Sequence, residues 1–214
     1  MAHINFSKAN CKNCYKCLRS CPVKAIKFKN QQAQIVEERC IKCGHCLYNC
    51  PQNASFIQSD LYKVKQAIKL GKQVIASIDP SFLSYFPDMD EQKVIAAIKK
   101  LGFNEVEESS IAIEAMDDIY SQYIKKSSSR ILISTCCPSA NYLVEKYYPE
   151  LIKYLIPLDS PMVAHGKILK KNYGSDAYTV FIGPCVSRKF EAGDFKNANI
   201  IDAVLSFDEI HRWI

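Results

Sequence analysis

From residue 60 onward, apolar positions recur alternately at helical and at strand spacing. DLYKVKQAIKLG (60–71) sets Val64, Ala67 and Ile68 on one side of a helix and stops at Gly71. QVIASID follows as an unbroken apolar strand. DEQKVIAAIKKLG reads as a second amphipathic helix, with Asp88 or Asp90 as N-cap and Gly102 as C-terminal stop. NEVEES reads as a strand, IAIEAMDDIYSQYIKK as a helix and KSSSR as a polar loop. RILIST is then a strand and PSANYLVEKYY a helix, with Pro149 and Pro157 interrupting the stretch behind it. SPMVAHGKILKKNYG predicts a helix capped by Ser160, with Pro161 at its first position and Gly174 at its end. AYTVFIG and IIDAVLS are strands, and FDEIHRWI opens a last helix. Strands alternating with helices predict an α/β domain with a largely parallel sheet.

Before residue 60 the texture differs. KAIKFKNQQAQIVEE reads as two short strands around a polar turn near Asn30, and on either side of it the sequence is dominated by cysteine. The chain therefore divides into residues 1–58 and 59–214. Eight of eleven cysteines lie in the first 50 residues. CKNCYKCLRSCP (11–22) and CIKCGHCLYNCP (40–51) both read C-x2-C-x2-C-x3-C-P, and the second copy is displaced from the first by 29 residues without slippage.

A [4Fe–4S] cube needs four converging thiolates. Three come from a tight C-x2-C-x2-C loop, and in two-cluster proteins the fourth cysteine reaches the other cube. That rule assigns Cys11, Cys14, Cys17 and Cys50 to one cluster and Cys40, Cys43, Cys46 and Cys21 to a second, with Pro22 and Pro51 turning the chain away. Structural zinc modules use paired C-x-x-C units separated by a long gap, which this doubled run fits poorly. A domain this small has little core, so bound clusters are expected to hold it folded. His45, inside the second loop, is read as a solvated side chain.

Composition adds limits. The 48% apolar content supports a core, and the net charge of +6 is mild, with no run of five like charges. No basic stripe or module calls for nucleic acid. MAHINFSKAN lacks the apolar stretch of a secretory signal, and no apolar run approaches the ~20 residues that span a bilayer. A cytoplasmic protein is expected, where cysteines serve as metal ligands rather than disulfides. Residues 1–60 hold nine Lys and Arg against three Asp and Glu. This excess offsets the negative clusters and leaves room for an acidic redox partner.

The other three cysteines, Cys136, Cys137 and Cys185, follow RILIST and AYTVFIG. Both positions are C-terminal strand ends, the edge where open α/β sheets collect ligands. Cys137 also precedes Pro138 at a helix start, which favours thiolate over thiol. The plainer alternative is that they are small buried hydrophobes.

Residues 4–58 resemble bacterial-type two-[4Fe–4S] ferredoxins, with all eight ligands present. STCCPSA (134–140) and FIGPCVSRKFEA (181–192) resemble the first two signatures of the [FeFe]-hydrogenase large-subunit family, T-S-C-C-P-x-W and M-P-C-x-x-K-x-x-E. YYPELIKYLIPLDSPM, KKLGFNEV and IDAVLSFDEI share the family look. The resemblance implies an α+β ferredoxin-like iron–sulfur domain followed by a partial hydrogenase catalytic domain of α/β class. It implies that Cys137 and Cys185 ligate the cube of an H-cluster, that Cys136 passes protons to its diiron subsite, and that Arg188 stands where the family's lysine hydrogen-bonds a cyanide. The ferredoxin clusters would then exchange electrons with a redox protein partner, or a downstream signalling domain would read the site.

The chain departs from the pattern at Ala140 (Trp in the family), Gly183 (Met) and Arg188 (Lys), while Glu191 matches; these changes look like the sensory branch. The family's third motif, E-x-M-A-C-x-x-G-C, has no match, and no cysteine follows Cys185 in these 214 residues. The expectation is therefore an iron–sulfur electron-transfer protein whose 214 residues show no hydrogenase turnover. The alternatives are a plain ferredoxin-like carrier and a relative in iron–sulfur assembly.

Overall fold

The computed structural model of the chain describes residues 4–214. The cysteine-rich part runs β1 (Ile4–Phe6), α1 (Lys16–Ser20), β2 (Ile26–Lys29), β3 (Gln32–Ile35), α2 (His45–Tyr48) and β4 (Ser55–Ile57). β1 and β4 pair antiparallel, Ile4 opposite Ile57, and tie the two ends of this part together. β2 and β3 form the expected hairpin. Its turn residues Asn30 and Gln31 both have positive φ, 53° and 56°. That is the two-residue turn whose twist matches its strands. Ile4, Ala25, Ile26 and Ala33 form a small core together with Cys17, Cys21 and Cys46, closed on one side by Phe190.

The rest of the chain holds α3 (Leu61–Lys69), β5 (Val74–Ile78), α4 (Phe82–Tyr85), α5 (Glu91–Lys100), β6 (Glu105–Glu108), α6 (Ser110–Lys126), α7 (Pro138–Tyr147), α8 (Pro161–Tyr173), β7 (Tyr178–Gly183), α9 (Ser187–Ala192), β8 (Ala203–Ser206) and α10 (Phe207–His211). The sheet order is β6-β5-β7-β8, parallel throughout. Strand periodicity sorts the side chains onto two faces. Val74, Ala76 and Ile78 pack with Val180 and Ile182 against α3, α5 and α10. Ile75, on the opposite face, packs with Leu169 of α8. Cover on both faces is what a parallel sheet requires.

The caps form as the sequence predicts. Asp90 accepts from the Gln92 amide at 2.8 Å, and Ser160 accepts from that of Val163 at 3.4 Å. Gly102 has φ 107°, and a Cβ there would lie 2.6 Å from Ile68 Cγ2, so the stop depends on glycine twice over.

RILIST is the exception. Residues 130–135 do not join the sheet. Both neighbours of β5 are already taken, by β6 and β7. The run finds only the stretch behind the 3-10 helix Pro149–Tyr154, forming a single parallel bridge from Ile133 to Leu155. The Ile133 amide donates to the Tyr154 carbonyl at 2.8 Å, and that of Ile156 donates back to the Ile133 carbonyl at 2.9 Å. Ile131 stays exposed. An apolar run fixes burial, not the partner that completes a ladder.

Under α8 lies a polar inset. Ser77 Oγ is 2.7 Å from His165 Nδ1, and His165 Nε2 lies 3.5 Å from Glu107 Oε2, beyond hydrogen-bond reach. Tyr173 donates to Glu107 Oε1 at 2.5 Å. Burial pushes the His165 pKa below its ordinary value, and the Glu107 carboxylate opposes this only in part.

Candidate iron–sulfur sites

The cysteine repeat is also a backbone repeat. Asn13, Tyr15 and Lys24 have positive φ (53°, 58°, 51°), and so do their counterparts Lys42, Gly44 and Asn53 (58°, 73°, 48°). Each pair stands 29 residues apart, like the cysteines. Left-handed residues curl a short loop back on itself and turn its amides inward, the shape that concentrates N–H groups around an anionic group. The Ala25 amide donates to Cys21 Sγ and the Ala54 amide to Cys50 Sγ, both at 3.2 Å; that of Lys42 donates to Cys40 Sγ at 3.4 Å. Tyr15 and Gly44 are the N-cap residues of α1 and α2. Both helices are too short to leave a helical period in the sequence.

The thiols gather in two crossed sets. Burial pushes Cys17 up, opposed by the Leu18 amide, and its electrostatic neighbours are Cys11, Cys50 and Cys14. Burial pushes Cys46 up to about 12, and the thiols adding to that are Cys40, Cys43 and Cys21. Among the described residues, no three His, Cys, Asp or Glu side chains converge as ligands of one metal ion. A cube holds its thiolates farther apart than one zinc does at a Zn–S distance of about 2.3 Å. The donor type, the crossed grouping and the inward amides all fit [4Fe–4S] cubes. His45 is exposed, as expected.

The second cysteine loop lies against the α/β part. Tyr48 donates to the Pro184 carbonyl at 3.3 Å, one residue before Cys185. A Cβ on Gly44 would fall 2.2 Å from Val186 Cγ2. Lys146 donates to the Glu37 and Cys40 carbonyls, both at 2.7 Å, and Tyr147 to those of Val23 and Arg39 at 3.2 and 2.9 Å. Lys42 sits 4.2 Å over the Tyr142 ring.

Cys185 follows β7, as the sequence predicts, whereas Cys136 and Cys137 follow a coil rather than a strand of the same sheet. The two motifs still meet. Arg188 donates to the Cys136 carbonyl at 2.9 Å through Nη2, and to Glu191 Oε2 at 2.6 Å through Nη1. The guanidinium thus joins the two cysteine motifs. Cys137 is exposed at the N-cap of α7, ahead of Pro138, and Cys136 is half-buried. Cys185 is exposed, with Sγ 2.9 Å from Ser187 Oγ. Tyr120, which sequence reasoning did not single out, places its hydroxyl 3.4 Å from both Cys136 Sγ and Ser134 Oγ. Beside it is a mostly apolar groove of about 430 Å³ lined by Ile113, Met116, Ile124, Ile156 and Cys136 among others.

Residues 72–214 match the family described as "Iron only hydrogenase large subunit, C-terminal domain", two thirds of the chain. The chain belongs to that family. Residues 3–51 of this hydrogenase-like protein match a "4Fe-4S dicluster domain". Iron hydrogenase 1 of Clostridium pasteurianum is 28% identical across 99% of this chain and 43% of its own length. The periplasmic [Fe] hydrogenase large subunit of Nitratidesulfovibrio vulgaris is 29% identical across 55% of this chain and 32% of its own. A cytosolic Fe-S cluster assembly factor of Vanderwaltozyma polyspora is 24% identical across 97% and 36%. The chain therefore spans less than half the length of these curated relatives. A solved [FeFe]-hydrogenase shares the fold, with TM-score 0.56 at 19% identity over 72% of this chain and 47% of that one. No helix among the described residues is long and apolar enough to cross a membrane.

Proposed function

We propose that the chain is an electron relay carrying two [4Fe–4S] clusters. One is held by Cys11, Cys14, Cys17 and Cys50, and the other by Cys40, Cys43, Cys46 and Cys21. When bound, the cubes supply one-electron storage in series. The chain's own residues do the rest. The Ala25, Lys42 and Ala54 amides stabilise thiolate charge at Cys21, Cys40 and Cys50. The contacts of Tyr48 and Gly44 hold the second loop against the Cys185 segment. This sets the second cluster between the first and the Cys136–Cys137–Cys185 region. Cys137 and Cys185 are proposed as ligands of a further cube, with Cys136 as the thiol that holds and passes a proton and Arg188 as the cation beside it. Completed by the family's remaining motif, the site would activate or sense H2. A division after residue 58 is supported by the β1–β4 closure.

The crossed thiol grouping carries the two-cluster proposal, and double variants test it by iron content. Cys21→Ala with Cys40→Ala strikes one cluster and should leave about four irons per chain. Cys21→Ala with Cys11→Ala strikes both and should leave almost none. The reverse order of iron loss would overturn the assignment.

A second reading has its own observation. The cluster-assembly relative matches 97% of the chain, nearly as much as the clostridial hydrogenase. In that reading the clusters serve iron–sulfur handling. CO and CN infrared bands after maturation of a version carrying the third motif favour the hydrogenase reading, and extra iron without those bands favours the assembly reading.

A further inference from the structure

The second cysteine loop carries a cation that the α/β part holds in place. Lys42 lies between Cys40 and Cys43 and is half-buried. Its ammonium sits 4.2 Å from the centroid of the Tyr142 ring and 5.3 Å from that of Phe190. Tyr142 belongs to α7 and Phe190 to α9. The Tyr142 hydroxyl donates to the Asp194 carboxylate, with Oδ2 at 2.9 Å and Oδ1 at 3.2 Å, and this fixes the ring beneath the ammonium. Phe190 packs in the small core that also holds Cys21 and Cys46. One aromatic side chain therefore touches both the Lys42 ammonium and the core that contains proposed ligands of the second cluster. Among the described residues Lys42 makes no ion pair.

The repeat supplies its own comparison. The residue equivalent to Lys42 in the first copy is Asn13, which is left-handed as well, φ 53° against 58°. Its side chain is neutral and turns its amide oxygen toward Cys11, with Sγ 3.7 Å from Oδ1. The lysines of the first loop, Lys12 and Lys16, are exposed, so water and salt screen their charge. Lys42 acts from a half-buried aromatic surround, where the effective dielectric constant is roughly fourfold lower than that of water.

Resting on the two-cluster proposal, we infer that Lys42 sets the reduction potential of the second cluster, with Tyr142 and Phe190 as the positioning residues that hold its charge there. A cube with four thiolates carries roughly two negative charges when oxidised, and one added electron makes it roughly three. A fixed ammonium stabilises the more negative form and so raises the potential. The step it favours is the transfer of one electron from the reduced first cluster to the oxidised second, with no bond made or broken. The electron then rests on the cluster beside the Cys185 segment.

The test is a redox titration of the iron-loaded chain, followed by low-temperature electron paramagnetic resonance. Lys42→Asn installs the first repeat's residue, which tolerates positive φ. It should disfavour one of the two reduction steps by roughly tenfold, a fall of about 59 mV for one electron, with iron content unchanged. Lys42→Arg keeps the charge and stacks on aromatic faces, and should leave both steps within about twofold of the parent. Tyr142→Leu should lower the same step severalfold, and Tyr142→Phe, which keeps the ring, should lower it less. Lys16→Asn, on the exposed first loop, should move neither step by more than about twofold. Unmoved potentials in Lys42→Asn, equal shifts of both steps, or a fall in Lys42→Arg as large as in Lys42→Asn would each overturn the inference while leaving the clusters intact. Iron well below about eight per chain would overturn the cluster proposal and the inference with it.

Discussion

Gly44→Ala should undock the second cysteine loop from the Cys185 segment. Two costs add at this position. Its φ of 73° is left-handed, where a Cβ costs about 1–2 kcal/mol. The new Cβ would also stand 2.2 Å from Val186 Cγ2, so Val186 or the loop must shift. Overpacking of that kind costs about 1–3 kcal/mol. Gly71 separates the two costs, since it has φ 69° but nothing within 4 Å of where a Cβ would sit. Gly71→Ala should therefore show the backbone cost alone. At about 2–4 °C per kcal/mol for a chain of this size, Gly44→Ala should melt several degrees below Gly71→Ala at a fixed scan rate under anaerobic conditions. Val186→Ala should restore most of that difference in the double variant while doing nothing for Gly71→Ala. Equal melting of the two alanine variants, or no rescue, would refute the steric argument.

His165 gives a pH prediction. Burial depresses its folded pKa below the ordinary value near 6.5, so in acid the unfolded chain takes a proton that the folded chain refuses. The contribution is full above about pH 6.5 and is lost as pH falls below it, at no more than about 1.4 kcal/mol per pH unit. His165→Gln should flatten that slope between about pH 5 and 7 in urea titrations, and an unchanged slope would show that another group titrates. Cys17→Ala should cost one of the two clusters, and unchanged iron and visible absorbance would contradict the ligand set. The 214-residue chain should not reduce a viologen dye from H2 even after maturation, and such turnover would show that the third motif is dispensable.

The parts of the structure that depend on near neighbours in sequence were legible in it. The paired backbone turns of the cysteine repeat, the Asn30 turn, the Asp90 and Ser160 caps and the period of α8 are all set within a few residues. RILIST has the pattern of a sheet strand but forms only one bridge, because an apolar run does not name its partner and the strand positions beside β5 are filled by β6 and β7. The contacts that assemble the third cysteine region were not legible. Arg188 reaching Cys136 and Tyr48 reaching Pro184 join residues more than 50 positions apart. One signal was present, though. At equivalent left-handed positions the first repeat has Tyr15 and the second Gly44. The exposed loop tolerates a side chain there, and the loop packed on Val186 does not.

Two cubes on eight crossed thiolates are the central claim, and iron analysis of the anaerobically reconstituted chain tests it directly when read with low-temperature electron paramagnetic resonance. The claim predicts about eight irons per chain and, on full reduction, the broadened spectrum of two interacting clusters. About four irons with a single uncoupled signal, or zinc in place of iron, would contradict it.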